Sequence, residues 1–325
     1  MSGEGAALGA RLRERDLSAA PAALNLLESA TEQDREQSAA LLAEISPAAL
    51  GHEAPGHLIG ITGPPGAGKS TLLSALVGAW RSRGQTVALL AVDPSSRRSG
   101  GSLLGDRARI DFDPADRGVL IRSTASGERL GGLAGPTRVA AQALVAAFDV
   151  VVVETVGVGQ AETEIADVAD TVAVVVQPGS GDTLQFLKSG IMEIPDVLVV
   201  TKADLGTLAM RTRRDLTAAL RSMGSRETRV VAVSSLAPPS GIDELLDALA
   251  EHRERLDVEA RRLASRRSGA IAAFAAEHGE RGLRAVGGRL AAERLLSAEP
   301  SGLDGPALIE VLERASSHAE RQEAS

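Results

Sequence analysis

Seven short runs of valine, isoleucine and leucine, all between residues 57 and 235, constrain the fold of this 325-residue chain more than any other feature. They read HLIGIT, TVALLAV, GVLIR, VVVV, TVAVVV, VLVV and RVVAV. Helical stretches or glycine-rich loops separate each run from the next. Continuous apolar strands that alternate with helices are typical of a parallel sheet with both faces covered. We therefore predict an α/β fold with a mostly parallel sheet and helices on both faces.

The segments on either side of these strands are helical in pattern. Residues 1–55 carry apolar residues at helical spacing, which predicts an N-terminal helical extension. Residues 56–256 form the predicted central domain, whose last helix, IDELLDALAEHRERL, begins with a predicted capping box at residues 240–243. Residues 257–325 are helical again, and we expect them to form an arm that packs against a second subunit. The arginine cluster in EARRLASRRSG is interpreted as a solvated helix face.

Composition excludes several classes of function. The chain has no cysteine, which excludes disulfides, thiol catalysis and thiolate metal sites. A net charge of −8 argues against binding to nucleic acid or to an anionic membrane. No signal peptide or membrane-spanning run is visible, so a cytoplasmic location is expected. The histidines show no ligand spacing and are interpreted as lone surface residues: His52, His57, His252, His278 and His318.

Residues 63–70 match the phosphate-binding pattern G-x-x-x-x-G-K-[ST]. They follow the run HLIGIT and precede STLLSALVGAW, whose large apolar residues fall on one helical face. In such a P-loop, backbone N–H groups cradle phosphate oxygens at a helix N-terminus. Lys69 would reach the β- and γ-phosphates, and the Ser70 hydroxyl would bind Mg²⁺. The predicted phosphate-binding residues are Gly63, Pro64, Pro65, Gly66, Ala67, Gly68, Lys69, Ser70 and Thr71.

Polar residues end several of the predicted strands, at Asp93, Glu154 and Gln177. Ligands of open α/β sheets bind outside the carboxyl ends of the strands. Glu154 is expected beside Mg²⁺ and the γ-phosphate, because a buried carboxylate needs a cation. Gly157 completes an E-x-x-G pattern, in which a backbone N–H contacts the γ-phosphate. Loss of that phosphate would release the loop that follows.

The stretch Thr201-Lys202-Ala203-Asp204 resembles the N/T-K-x-D signature of GTPases. A carboxylate at Asp204 can accept both adjacent donors of guanine, N1–H and N2–H₂, whereas adenine presents an acceptor at N1. The Lys202 stem would lie along the base, and Thr201 replaces the more usual asparagine, which removes an amide contact. A backbone N–H in the stretch Ser234-Ser235-Leu236 would reach guanine O6. The predicted nucleotides are therefore GTP and GDP.

Four longer stretches together resemble one family. They are GITGPPGAGKSTLLSAL, LLAVDPSSRRSGGSLLGDRARI, FDVVVVETVGVGQAETEIADVAD and QPGSGDTLQFLKSGIMEIPDVLVVTKAD, and they cover most of residues 58–204. In this order they resemble the methylmalonyl-CoA mutase-associated GTPases of the MeaB or ArgK type, in the signal-recognition/MinD (SIMIBI) class of P-loop GTPases. The resemblance implies a slow, Mg²⁺-dependent GTPase that dimerises through its C-terminal arm. It also implies a chaperone that gates cofactor loading and protects a client, an adenosylcobalamin-dependent acyl-CoA mutase.

The same resemblance implies roles for individual residues. Lys69, Asp106 and Glu154 would be catalytic, and Ser70, Asp93, Asp106 and Glu154 would surround Mg²⁺. Residues 93–111 and 154–168 would be switches, and residues 177–192 a loop that couples nucleotide state to the client. The switch and coupling residues would be Gln160, Gly181, Asp182, Gln185 and Lys188. The chain departs from the family pattern at TASGERLGG, where the family has SSGTLGG, and at Thr201.

The expected reaction is in-line attack of water on the γ-phosphate, in which positioning and charge neutralisation supply most of the catalysis. No side chain is identified as the base. Three alternatives stay open. A metal-insertion GTPase would need soft or imidazole ligands, which this sequence lacks in any cluster. A transport-system kinase of the ArgK type would need a second substrate site. A GTP-dependent interaction switch would differ from the mutase-chaperone GTPase only in its rate of GTP hydrolysis.

Overall fold

The computed structural model describes residues 3–29, 31–93, 110–125, 135–155, 164–179, 195–225 and 227–323. The chain divides into two compact units. The first consists of Met1–Pro55, Arg138–Ala147 and Asp257–Ser325, and the second of Gly56–Thr137 and Phe148–Leu256. Among the described residues, no helix has both the length and the apolar composition needed to cross a bilayer.

A seven-stranded sheet forms the centre of the second unit, and all of its neighbouring strands are parallel. The strands are β1 His57–Thr62, β2 Val87–Asp93, β3 Val119–Ala125, β4 Val150–Glu154, β5 Thr171–Val176, β6 Val197–Val200 and β7 Arg229–Ala232. Their order in the sheet is β3-β2-β4-β1-β5-β6-β7. Every strand arises from one of the seven apolar runs, so the predicted α/β fold is confirmed.

The helices of the described chain are numbered in chain order. They are α1 Glu4–Arg13, α2 Ala20–Glu28, α3 Glu32–Glu44, α4 Pro47–Leu50, α5 Lys69–Ser82, α6 Gly135–Leu144, α7 Thr207–Ser222, α8 Ile242–Arg255, α9 Val258–Ala285, α10 Arg289–Ser297 and α11 Gly305–Glu323. Short 3-10 turns occupy Leu17–Ala19 and Ala203–Leu205. The helical terminal segments predicted from the sequence are therefore present.

Helix α5 packs against the sheet through the apolar face predicted from the sequence. Its large apolar side chains are all buried, namely Leu72, Leu73, Leu76, Val77 and Trp80. They share one core with α8 and with inward-facing residues of the strands. Each such side chain contributes roughly 1.5–3 kcal/mol when fully buried. This packing fixes the start of α5 relative to the strand ends that carry the candidate site.

An ion pair holds the last turn of α5. The Arg81 guanidinium donates two hydrogen bonds, of 2.7 and 2.9 Å, to the Asp116 carboxylate, which lies just before β3. These bonds hold the pKa of Asp116 below its usual value. A bidentate pair of this kind fixes orientation as well as distance, so both ends of α5 are positioned by specific contacts.

The predicted capping box at the start of α8 is wrong. The helix begins after Gly241, which has φ +73°, and no side chain caps it. The backbone of Ser240 instead exchanges two hydrogen bonds with that of Ser234, at 2.9 and 3.0 Å. These two bonds hold Ser240 in a backbone bridge, and Gly241, in its left-handed conformation, turns the chain into the helix.

In the first unit, two arginines of the C-terminal segment are buried, so their interpretation as a solvated face is wrong. Arg262 and Arg266 are only 7 and 8% exposed. Arg262 Nη1 donates to the Ala54 carbonyl at 2.6 Å, and Arg266 donates to both carboxylate oxygens of Glu53 at 2.8 and 3.0 Å. Buried guanidinium groups need such partners. These contacts join the N-terminal segment to α9.

Candidate nucleotide-binding site

The loop of residues 63–68 joins β1 to α5 at the centre of the sheet, because β1 lies between β4 and β5. A side chain at Gly63, where φ is +145°, would collide with the Val175 carbonyl oxygen of β5. Gly68 is the N-cap of α5 with φ +93°, and no side chain caps this helix. The N–H groups of its first turn can therefore bind an anion.

Lys69 lies over this loop. It is only 8% exposed, and its Nζ donates to the carbonyl oxygens of Gly63 at 2.6 Å and Pro64 at 3.3 Å. An ammonium group has three donors and can exchange such contacts for phosphate oxygens. Ser70 follows in the first turn of α5 and is half-buried. The loop, the helix N-terminus and the ammonium group thus combine the features that bind phosphate.

Glu154 is the last residue of β4, next to the phosphate loop. It is 7% exposed and lies opposite Ile61 of β1 in the sheet register. The following residue, Thr155, donates from its hydroxyl to the hydroxyl of Thr62 at 2.8 Å, and its N–H donates to the Ile61 carbonyl at 3.0 Å. Both threonines are fully buried. These contacts fix Glu154 beside the residue at which the loop begins.

Thr201, at the end of β6, contacts the phosphate loop directly. Its hydroxyl lies 2.6 Å from the Ala67 carbonyl oxygen and 3.1 Å from the Val176 carbonyl oxygen of β5. The side chain is 4% exposed. The hydroxyl therefore links the predicted base-recognition segment to the phosphate loop, although the amide of an asparagine is absent.

The rest of the predicted base site lies in adjoining loops. Lys202 has φ +53°, and its Nζ donates to Gln177 Oε1 at 2.5 Å and to the Gly66 carbonyl at 3.4 Å. Asp204 is exposed, and its carboxylate accepts a hydrogen bond of 2.9 Å from the Ser234 hydroxyl. That hydroxyl accepts in turn from the Leu236 N–H at 3.3 Å. The structure thus brings the segments 201–204 and 234–236 together.

The structure does not describe the positions of several residues of the predicted site. Asp93 ends β2, but its side chain lies outside the described part of the structure. Outside the described residues altogether are Asp106, Gly157, Gln160, Gly181, Asp182, Gln185 and Lys188. Their roles stay predictions, as do the roles of the placed residues. The sequence did not predict the hydrogen bond between Thr62 and Thr155, or the one that Lys202 donates to Gln177. The only signal for either bond was a polar residue at the end of a strand.

A substitution tests the link made by Thr201. Thr201→Val keeps the shape of the side chain but removes the hydroxyl that bonds Ala67 and Val176. We expect it to lower the free energy of unfolding by about 1–2 kcal/mol, measured by urea denaturation, and to weaken GTP binding. The matched control is Thr212→Val, because the Thr212 hydroxyl donates to the Leu208 carbonyl within its own helix, α7. Equal effects of the two variants would contradict the proposed link.

Comparison with known proteins places this geometry in a family. Residues 20–281 match the family described as methylmalonyl-CoA mutase-associated GTPase MeaB. A Pyrococcus abyssi protein that carries the name GTPase is 43% identical over 265 residues, which are 79% of this chain and 78% of that protein. The mouse mitochondrial methylmalonic aciduria type A homolog is 37% identical over 209 residues, or 61% of this chain and 49% of that protein.

A solved structure supports the same assignment. The crystal structure of an LAO/AO transport system kinase superimposes with a TM-score of 0.65 and 28% sequence identity, and covers 95% of this chain and 96% of that one. The family match extends over most of the chain. The protein is therefore a P-loop GTPase that binds GTP and GDP, and it belongs to the methylmalonyl-CoA mutase-associated GTPase family MeaB.

Proposed function

We propose that this GTPase is a chaperone for an adenosylcobalamin-dependent acyl-CoA mutase of the methylmalonyl-CoA mutase type. In this role it would gate cofactor loading and protect the mutase from inactivation. The observation that carries the proposal is the match of residues 20–281 to a family whose description names that mutase. Relatives in mouse and Caenorhabditis elegans are named after methylmalonic aciduria, which supports the same client.

A magnesium site is part of the proposal. We assign Mg²⁺ to the side chains of Ser70, Asp93, Asp106 and Glu154. Hydroxyl and carboxylate oxygens suit this ion, and Glu154 is a buried carboxylate at the strand next to the phosphate loop. Bound Mg²⁺ would neutralise charge on the β- and γ-phosphates.

In the proposed reaction a water oxygen attacks the γ-phosphorus, the bond to the β–γ bridging oxygen breaks, and GDP and phosphate leave. Lys69 supplies positive charge to the phosphates, and the segments 201–204 and 234–236 hold guanine. Since no side chain of the described site is assigned as a base, the client would complete the catalytic arrangement.

The nucleotide state would be reported to the client by three segments, namely the switches 93–111 and 154–168 and the loop 177–192. Gly157, Gln160, Gly181, Asp182, Gln185 and Lys188 belong to these segments.

For domain organisation we propose an N-terminal extension (1–55), a GTPase domain (56–256) and a C-terminal dimerisation arm (257–325), in a cytoplasmic homodimer. Leu290, at the start of α10 in this arm, is 74% exposed. Permanent homodimer interfaces are more hydrophobic than the rest of the surface, so a dimer formed through the arm would bury this side chain. We do not propose a nucleic acid or membrane partner, given the net charge of −8.

The dimer leads to a prediction about mass. Light scattering on the full chain should give twice the 33.4 kDa of one chain. Leu290→Glu should raise the dimer dissociation constant by at least about tenfold, since it places a charge in the interface. Met223→Glu is the control, because Met223 is also an exposed apolar side chain, at 50%, but follows α7 in the other unit. A single-chain mass for the wild type would refute the dimer.

The chaperone role can be tested by following mutase activity over many turnovers. With GTP and this protein present, the mutase should lose activity more slowly than when it is alone. Replacing the protein with its Lys69→Ala variant should remove the protection. Protection that is unchanged by this variant, or by omitting nucleotide, would contradict a GTP-dependent chaperone.

The name of the solved relative, LAO/AO transport system kinase, favours a second candidate, a transport-system kinase. The fate of the γ-phosphate separates the two. With γ-labelled GTP and cell extract, a GTPase releases all of the label as inorganic phosphate, whereas a kinase transfers label to a protein. Stable labelling of a protein that depends on Lys69 would favour the kinase.

A further inference from the structure

Three potential metal ligands meet on the surface of the first unit. Glu277 and His278 lie on α9, and Glu313 lies on α11. One ligand atom from each residue lies within 4.8 Å of the other two. His278 Nε2 and Glu313 Oε1 are 3.5 Å apart. The packing of two helices therefore brings an imidazole and two carboxylates together from positions distant in sequence.

The spacing suits a small divalent ion. Zinc bonds to imidazole nitrogen and carboxylate oxygen are about 2.0–2.2 Å long. Two ligands of a tetrahedral ion then lie about 3.3 Å apart, close to the observed 3.5 Å between His278 and Glu313. Glu277 and Glu313 are 56 and 42% exposed, so a change of rotamer can close the remaining distance.

The imidazole is already oriented. The ring of His278 lies against the ring of Phe274, with centroids 4.6 Å apart, and Phe274 is fully buried. Directly after His278, Gly279 has φ +63° and breaks the regular geometry of α9. Residues that hold a histidine ring in place raise the affinity of metal sites, because less freedom is lost when the ion binds.

We propose that Glu277, His278 and Glu313 form a binding site for a divalent transition-metal ion of the zinc type, with water completing the coordination. The imidazole favours Zn²⁺ over Mg²⁺ or Ca²⁺, which prefer oxygen ligands. The ion would link α9 to α11 and so stiffen the C-terminal helices. This site is separate from the nucleotide site and does not depend on the proposed chaperone role.

One neighbouring cation opposes the ion. Arg35 Nη1 lies 3.5 Å from Glu277 Oε1, and this arginine is 64% exposed. A guanidinium group at this distance competes for the carboxylate and repels a divalent ion, although solvent and salt weaken the repulsion. Removing the charge with Arg35→Gln should therefore strengthen metal binding by about fivefold. If the ion bound elsewhere, Arg35→Gln would not strengthen metal binding.

The test is a calorimetric titration of Zn²⁺ into the full chain, stripped with a chelator and free of nucleotide and Mg²⁺. We expect one site per chain with a dissociation constant of about 10 μM or below, a range compatible with three protein ligands. His278→Gln and Glu313→Gln should each weaken binding at least about tenfold. His318→Gln and Glu310→Gln, on the same helix as Glu313, are the matched controls and should bind as the wild type does.

Circular dichroism of each variant shows that the helices still form, and a second readout is the unfolding temperature. Zn²⁺ should raise the unfolding temperature of the wild type and of both controls, but not that of His278→Gln. The proposal is overturned if the wild type does not bind Zn²⁺. It is also overturned if His278→Gln and Glu313→Gln bind the ion as tightly as the wild type does.

Discussion

Lys69→Ala is expected to lower GTP turnover by about 100-fold or more, the loss typical when a charge-stabilising donor is removed from an active site. The ammonium group is buried over the phosphate loop, 2.6 Å from the Gly63 carbonyl oxygen. Alanine has no cation to place on the β- and γ-phosphates, whose charge rises in the transition state. The measurement is steady-state release of phosphate from GTP, together with the GTP dissociation constant.

The matched control for this variant is Arg83→Ala. Arg83 follows α5 at its other end and forms surface ion pairs with Asp243 and Asp247. Such exposed pairs contribute little, so turnover should be unchanged. If Lys69→Ala folds, by circular dichroism, and still hydrolyses GTP at the wild-type rate, the loop of residues 63–70 is not the phosphate site.

Asp204→Asn should change the preferred base from guanine to xanthine. The affinity for GTP should fall by about 100-fold, because the carboxylate that accepts two guanine donors is lost. Affinity for XTP should rise, since the new amide can donate to the xanthine O2. The Ser234 hydroxyl, which donates to Asp204 Oδ1 at 2.9 Å, can still donate to an asparagine oxygen. The loop geometry should therefore survive the substitution.

Competition between labelled GTP and unlabelled GTP, XTP and ATP measures this change. Asp215→Asn provides the control, because Asp215 is an exposed carboxylate on α7 whose nearest cations are Arg211 and Arg214, at 3.8 and 3.9 Å. This control should keep the wild-type order of affinities. Unchanged GTP and XTP affinities in Asp204→Asn would show that this residue does not bind the base.

The sheet could be predicted because its signal is local. The run VVVV at residues 150–153 is apolar at every position, as a strand buried on both faces requires. The helical face of α5 follows from spacing alone. The phosphate loop was predicted from eight adjacent residues, so its position between β1 and α5 needed no knowledge of distant contacts.

The contacts that could not be predicted are those between residues far apart in sequence. Thr201 was expected to have lost a contact, yet its hydroxyl bonds a carbonyl of the phosphate loop 134 positions away. Arg266 was interpreted as part of a solvated helix face because its partner, Glu53, lies 213 positions away in the sequence. His278 looked isolated because Glu313 belongs to another helix. Tertiary packing, which local patterns do not encode, decides all three.

The capping box failed for a different reason. The pattern at residues 240–243 is compatible with a side-chain cap, but Gly241 allows a left-handed turn into α8. The backbone of Ser240 pairs with Ser234, next to the predicted base site. A backbone pairing therefore replaced the expected side-chain contact.

The most direct test of the account is GTP turnover by the purified protein, with and without a cobalamin-dependent acyl-CoA mutase, and with ATP as the control nucleotide. We predict hydrolysis that is selective for GTP and rises when the mutase is added, as expected if the client completes the catalytic arrangement. GTP-selective hydrolysis that the mutase leaves unchanged would contradict the proposed client, and equal hydrolysis of ATP would contradict the base site at Asp204.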